Sequence, residues 1–420
     1  MDINNQNNYK VADDHFKAYR TWPIFVLSFI RLFYVSIFER ALQNHLYFII
    51  DISESTLGII SSIGAIAYIF APLIGQVITS RIGIRNGIII SSITTVMLTG
   101  AQIIYFEPWY LITCRILLGL SIGLLWPNLF NLLSKWQNVI SKKESKNNFR
   151  NFNFSWNFGF VGGLLIGYFW AFIWSDYLAM IISWFLSFLL IPFSFFIKKE
   201  EKLNGIKAKS KFKLTHSISE EVIKGSPVNN INTPMTVYPI LFSWIGIIFL
   251  TISKALFRFS YPIFLKDFSS PSYLSYIILF GLQSTQLLGL TWINSMKVYS
   301  RKISVILSIS IIMLFAIFIL YANNILYISI ISMTVGLFLG LIHGTSMKIM
   351  LQYGTAKNTT KFSTINEILV GAGFGLTPIF AGYVAEVNIY LMFIFIIILG
   401  VLISIVLLYL SRNVKRVKIV

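Results

Sequence analysis

From about residue 20 onward the chain is a succession of long apolar runs separated by short polar breaks. A run of roughly 20 mostly apolar residues is long enough to cross the hydrocarbon core of a bilayer as a helix. Twelve runs qualify, at about 22–49, 56–79, 86–105, 109–133, 152–173, 177–197, 238–265, 273–296, 302–321, 325–353, 363–385 and 388–411. The connections at 50–55, 106–108, 174–176 and 322–324 leave little room for domains outside the bilayer. Residues 198–237 form the only long break; the stretch is rich in Lys, Ser and Asn and contains Gly225, Ser226 and Pro227 in a row. The pattern predicts an all-α membrane protein of twelve transmembrane helices. It divides into a tail at 1–20, a first six-helix bundle at 21–197, a linker at 198–237, a second six-helix bundle at 238–411 and a basic tail at 412–420.

Composition agrees with this reading: 56% of the residues are hydrophobic and 12% charged, too little polar surface to enclose a soluble core of this size. The single cysteine, Cys114, lies inside an apolar run, so no internal disulfide can form. The first 20 residues are polar without a cleavable signal pattern, and the first apolar run is too long and too charged for a signal-peptide core.

Charge placement supplies an orientation. The breaks after even-numbered runs carry Arg81 and Arg85; Lys135, Lys142, Lys143, Lys146 and Arg150; Lys297, Arg301 and Lys302; and Lys357 and Lys361. The opposite breaks carry Asp51, Glu54, Glu107, Asp176 and Glu386, with Lys266 against the trend. By the positive-inside rule both termini and the linker are expected on the cytoplasmic side of a multi-pass protein of the cell membrane. That rule absorbs most of the net charge of +18 without a nucleic-acid partner, for which no binding motif exists.

The two halves repeat. "RALQNHLY" (40–47) is answered by "KALFRFSY" (254–261), 214 positions later; "GLSIGLLW" (119–126) by "GLFLGLIH" (336–343); and Gly167-Tyr168 by Gly382-Tyr383. Three pairs at nearly one offset, in the same order in each half, are the mark of a duplication, so the bundles are expected to be pseudo-symmetric.

On these features the chain resembles the major facilitator superfamily from about residue 20 to 412. The loop "GQVITSRIGIRNG" is similar to that family's Gly-x-x-x-Asp-Arg-x-Gly-Arg pattern through Arg81, Gly83 and Arg85, with Gln76 at the first glycine position and Ser80 at the acid position. "RILLGLSIGLLWP" resembles the family's Arg-x-x-x-Gly stretch through Arg115, Gly119 and Gly123. A narrower likeness, in "WPNLFNLLSKW" and "SWNFGFVGG", is to the organophosphate antiporters and anion–cation symporters; the Gly-Pro dipeptide of drug/proton antiporters is absent from the fifth run. The resemblance implies alternating access, a central cavity lined chiefly by the first, fourth, seventh and tenth helices, and a gate at Arg81, Gly83 and Arg85.

The ionisable residues within runs fall in the same four places: Arg31, Glu39, Arg40 and His45; Arg115; Lys254 and Arg258; His343 and Lys348; the eleventh run adds Glu367. A charge near the bilayer centre costs about 3 kcal/mol on insertion scales, so such groups face a bundle interior or a water-filled cavity. On a helix Arg40, Gln43, Asn44 and Tyr47 share a face, as do Lys254, Phe257, Arg258 and Tyr261. Arg40, Asn44, Tyr47, Lys254, Arg258 and Tyr261 are therefore the candidate substrate contacts, and their cations point to an anionic carboxylate or phosphate. A structural ion pair of Arg40 with Glu39 or another carboxyl is the competing reading. Arg31 is expected to snorkel to the cytoplasmic face, Lys348 to be a loop-side charge, and Gly159, Gly163 and Gly167 to let helices pack closely.

Glu39 and Glu367 are the carboxylates able to carry a coupling proton, with Arg115 beside them as an ion-coupling candidate. Burial favours the neutral form of such a group and a nearby cation favours the charged one. No metal-ligand spacing, phosphate-cradling loop or ATP-hydrolysing domain is present. Transport is then secondary, with no enzyme activity and no cofactor, in a protein expected to act as a monomer. A proton-coupled multidrug exporter is the alternative within this class; a membrane-embedded transferase or a non-transporting sensor would need extramembrane parts that the short breaks do not hold.

Overall fold

In lipid each backbone N–H and C=O has to be paired inside the protein, and a helix does this within a single segment. The structure, a computed structural model, describes residues 21–137, 142–198, 235–293, 295–296, 300–353, 359–412 and 415–417. Among them twelve helices are long and apolar enough to cross a membrane, one for each expected run. They are α1 (Trp22–Ile49), α2 (Glu54–Ile82), α3 (Ile84–Ile104), α4 (Pro108–Leu133), α5 (Arg150–Ile173), α6 (Asp176–Phe195), α7 (Ile240–Asp267), α8 (Leu274–Trp292), α9 (Ser300–Ile319), α10 (Ile325–Met350), α11 (Ile365–Val387) and α12 (Leu391–Arg412). The tail 1–20, the linker from 199 to 234, Lys297 and Lys357, and the side chains of Lys135, Lys142, Lys143, Lys146 and Lys361 lie outside the described residues.

Three local features depart from a plain row of helices. The last turn of α1, His45–Ile49, is a π-helix. α6 is broken after Ser187 and resumes at Leu190. Two short strands, β1 (Met235–Val237) and β2 (Lys415–Val417), pair antiparallel with Met235 opposite Val417. They fall in the stretches expected to be linker and basic tail.

By packing, the chain forms two units. One holds the described residues up to Leu42 and from Phe70 to 198; the other holds Gln43–Ile69 and the described residues from 235 on. Relative to the expected bundles at 21–197 and 238–411, residues 43–69 join the second unit. Each helix that changes unit is irregular near the change-over: α1 at its π-turn and α2 at Pro72. Both irregularities weaken the regular ladder of backbone hydrogen bonds.

Within the first unit α1, α3, α4, α5 and the end of α6 share a core that includes Ile24, Leu27, Ile88, Leu129, Phe152 and Leu190. The indole of Trp184 on α6 donates to the carbonyl of Val96 on α3 at 3.0 Å. Side chains added at Gly159 or Gly163 would collide with the backbone of α1 at Phe29 and Phe33, so α5 does use these glycines for close approach. Lipid tails are as apolar as leucine, so such contact by small residues is what holds membrane helices together.

In the second unit the same logic seats α8 on α10. A methyl on Gly340 would meet the carbonyl oxygen of Gln286, and one on Gly336 would meet that of Leu282. The first part of α2 lies equally close to α11, with Gly58 against Pro378 and Gly382 against Glu54. The aromatic rings of Phe257 and Phe264 on α7 pack with Phe393 on α12.

Candidate functional site

The polar side chains expected from the charge pattern are gathered into a few clusters, each inside one unit. In the first unit Glu39 on α1 accepts from Arg115 on α4 at 2.9 Å, and the two side chains are 19% and 4% exposed. Two ion-coupling candidates 76 positions apart are thus one ion pair. Arg40, next to Glu39 in sequence, is fully buried. Arg31 is 7% exposed and donates to the hydroxyl of Tyr34 at 3.1 Å. This corrects the expectation that it snorkels: a buried phenol one turn away gives its guanidinium an acceptor within the protein.

In the second unit the helix α7 carries Lys254 and, one turn on, Arg258. The ammonium of Lys254 donates to Gln283 Oε1 at 2.6 Å and to Gln286 Oε1 at 2.7 Å, both on α8 and both 3% exposed. His343 on α10 lies within electrostatic reach of Lys254. Neither glutamine was singled out from sequence. The available signal was "LQSTQLLG", two amides one helical turn apart in a run with no ionisable residue, but neutral amides do not stand out beside charges.

The remaining substrate candidates have partners of their own. Asn44 donates to the carbonyl of Ser272 at 3.0 Å and accepts from Ser275 Oγ at 3.1 Å. Tyr47 donates to Glu54 at 2.6 Å, and Lys266 stands over its ring, 4.4 Å from the centroid, while pairing with Asp51. Tyr261 is fully buried in α7. Because Tyr47 sits in the π-turn, its bearing drifts from the stripe begun by Arg40, whereas Tyr261 stays in register with Lys254 on an unbroken α-helix. Glu367 on α11 accepts from the hydroxyl of Tyr68 on α2 at 3.2 Å.

At the expected gate Gly83 has φ +83°, a left-handed conformation that a side chain would strain, and it separates α2 from α3. Arg81 is exposed, and Ser80 turns its hydroxyl back to the carbonyl of Val77 at 2.7 Å. Arg85 donates to the carbonyl of Phe195 at 3.1 Å, capping the end of α6. Lys348 does the same for α8 through the carbonyl of Ile293 at 3.2 Å, in line with a structural role. Among the described residues no group of His, Cys, Asp and Glu is arranged to hold a metal ion.

With the helices and their intramembrane charges placed, the comparison with known families decides the class. A profile described as Major Facilitator Superfamily matches residues 24–282, more than half of the chain. The chain belongs to the major facilitator superfamily.

Solved structures of the same fold cover nearly all of it. The nucleoside transporter NupG superposes with a TM-score of 0.67 at 15% identity, over 93% of this chain and 98% of that one. A POT family transporter in complex with 5-aminolevulinic acid gives 0.68 at 13% identity, over 94% and 96%. A bacterial homolog of the human lysosomal transporter Spinster, in an inward-facing and occupied conformation, gives 0.66 at 10%, over 94% and 97%. No curated protein sequence matches. At such identities the likeness establishes the fold alone. It does not single out the organophosphate or anion–cation branches. As a major facilitator protein the chain is a multi-pass membrane protein and a secondary transporter with the helical architecture of alternating access, not an enzyme.

Proposed function

We propose that this transporter moves a small organic anion, a carboxylate or a phosphate ester, coupled to protons or by exchange. The observation that carries the reading is Lys254: its ammonium donates to the oxygens of two neutral amides on α8, which orient it, and Arg258 follows one turn later. Such a donor cluster in a low-dielectric setting gains most from an oxyanion. Arg40, Asn44, Tyr47, Arg258 and Tyr261 complete the proposed contact set. Glu39, Arg115 and Glu367 are the proposed coupling groups, with Arg81, Gly83 and Arg85 at the gate. Both termini are placed in the cytoplasm by the charge bias of the loops, and the protein is taken to work as a monomer.

The test is a thermal-shift screen of anionic, neutral and cationic metabolites, nucleosides and peptides included, against the purified protein. Anions stabilise it, and the response is lost in Arg40→Gln and Lys254→Gln. Stabilisation by cationic or apolar drugs alone, unaffected by those variants, would replace this reading with a multidrug exporter.

A further inference from the structure

We infer that Gln283 and Gln286 form, with Lys254, a donor-rich subsite that selects deprotonated oxyanions over their neutral counterparts. The inference rests on the anion reading above and makes it specific. Lys Nζ offers only hydrogens as an ammonium, so each amide that faces it has to present its oxygen. Both do, at 2.6 and 2.7 Å. Each oxygen keeps a second lone pair, but the ammonium fixes its direction, so the two NH2 groups are the ends left to donate. A side-chain amide is ordinarily ambidextrous and suits donors and acceptors alike. Here one lysine fixes the sense of two of them at once.

The turn that bears the amides is also held in place. Gly336 and Gly340 bring α10 onto the backbone of α8 at Leu282 and Gln286, so the carbonyl of Gln286 cannot shift without opening that contact. Both glutamines are 3% exposed. Buried donors that meet a substrate lacking acceptors are left unsatisfied, and sites of this kind reject analogues more strongly than apolar pockets do. A carboxylate or phosphate accepts from the amides and from Lys254 together. A hydroxyl, an amide or a protonated acid brings hydrogens of its own, which compete with the ammonium for the two amide oxygens.

The experiment uses the full chain in proteoliposomes and compares the apparent affinity for two anionic probes, succinate and glycerol 3-phosphate, with that for their neutral counterparts, succinamide and glycerol. Wild type is expected to favour at least one anion by about tenfold or more. In Lys254→Met the amides are free to turn, and the preference should shrink several-fold while the neutral counterpart gains. In Gln283→Glu and Gln286→Glu a carboxylate meets the ammonium and anion binding should fall by about tenfold or more. Gln283→Met and Gln286→Met, which keep volume, guard against misfolding; they should weaken the anion while retaining the monodispersity of wild type. Anion binding in wild type with an unchanged anion-to-neutral ratio across these variants would overturn the subsite and leave the anion reading standing. No anion binding in wild type would overturn both.

Discussion

The turn that begins at Arg40 and the turn that begins at Lys254 hold matching places in the sequence repeat but lie in different surroundings. In the first unit the acid beside Arg40, Glu39, is taken by Arg115 from α4, so a charge is met by a charge. Beyond it the helix passes into the second unit and slackens into a π-turn, and Asn44 and Tyr47 are engaged by Ser272, Ser275, Glu54 and Lys266 of that same unit. In the second unit α7 runs as an unbroken α-helix, and Lys254 is met by two neutral amides. The lesson is that a buried cation carries no fixed role, and the groups it meets decide it. The carboxylate of Glu39 offsets the charge of Arg115, whereas the amides that meet Lys254 carry no charge of their own.

That contrast is broken or sharpened most directly by removing one member of each cluster. Arg115→Gln removes the guanidinium that Glu39 meets at 2.9 Å, in a site where Arg115 is 4% exposed, and is expected to cost about 3 kcal/mol of stability. Glu39→Gln should cost a similar amount. The double variant should regain about 1 kcal/mol or more, since both members of the pair are then neutral. Lys254→Gln removes a cation from two neutral amides, so the expected cost is about 1 kcal/mol or less. Chemical denaturation of the purified variants reads all four. If Lys254→Gln proves as costly as Arg115→Gln, the two clusters are alike and the contrast is lost.

How far the sequence carries this picture differs between its parts for physical reasons. Twelve spans were legible because a bilayer demands long apolar runs and the breaks are short and charged. The helix breaks after Ser187 and at His45–Ile49 were not, because a change of backbone hydrogen-bond step leaves hydropathy untouched. Glu39, Arg115, Lys254 and Arg258 were visible as charges out of place. That Arg115 goes to Glu39 could not be read, since pairing depends on which helix faces meet. Gln283 and Gln286 were missed because a run free of ionisable residues looks inert, and Arg31 was misplaced because its acceptor, Tyr34, is an aromatic counted as apolar.

A smaller effect tests whether the two units are held by the same kind of seam. Gly163→Ala in α5 would press on the backbone of α1 at Phe33, and Gly340→Ala in α10 on that of α8 at Gln286. Each is expected to lower stability by about 2 kcal/mol, the usual range for overpacking. The difference should lie in function. Gly340→Ala moves the amide-bearing turn and should weaken the anion response in the thermal-shift screen; Gly163→Ala should leave it in place. An equal loss in both would mean that the response follows general stability and not the position of Gln286.

The smallest expected effect separates a gate from a cap. Arg85 and Lys348 do similar structural work in their own units: each donates to the last carbonyls of a helix, Arg85 to Phe195 on α6 and Lys348 to Ile293 near the end of α8. A cation at a helix C-terminus contributes about 0.3–1 kcal/mol near a surface. Arg85→Gln and Lys348→Gln should therefore lower stability by similar amounts, about 0.5 kcal/mol each. Arg81→Gln, in an exposed side chain, should change it by less. Only Arg85 belongs to the loop around Gly83 that resembles the superfamily's gate motif, and this is where the two diverge. Combining Arg81→Gln with Arg85→Gln should slow substrate exchange in reconstituted vesicles several-fold while equilibrium binding stays largely intact, because a gate acts on the rate of interconversion and not on the bound state. Lys348→Gln should leave the exchange rate alone. Equal exchange rates in all of these variants would reduce Arg85 to a cap on α6 and the loop to a signal for topology.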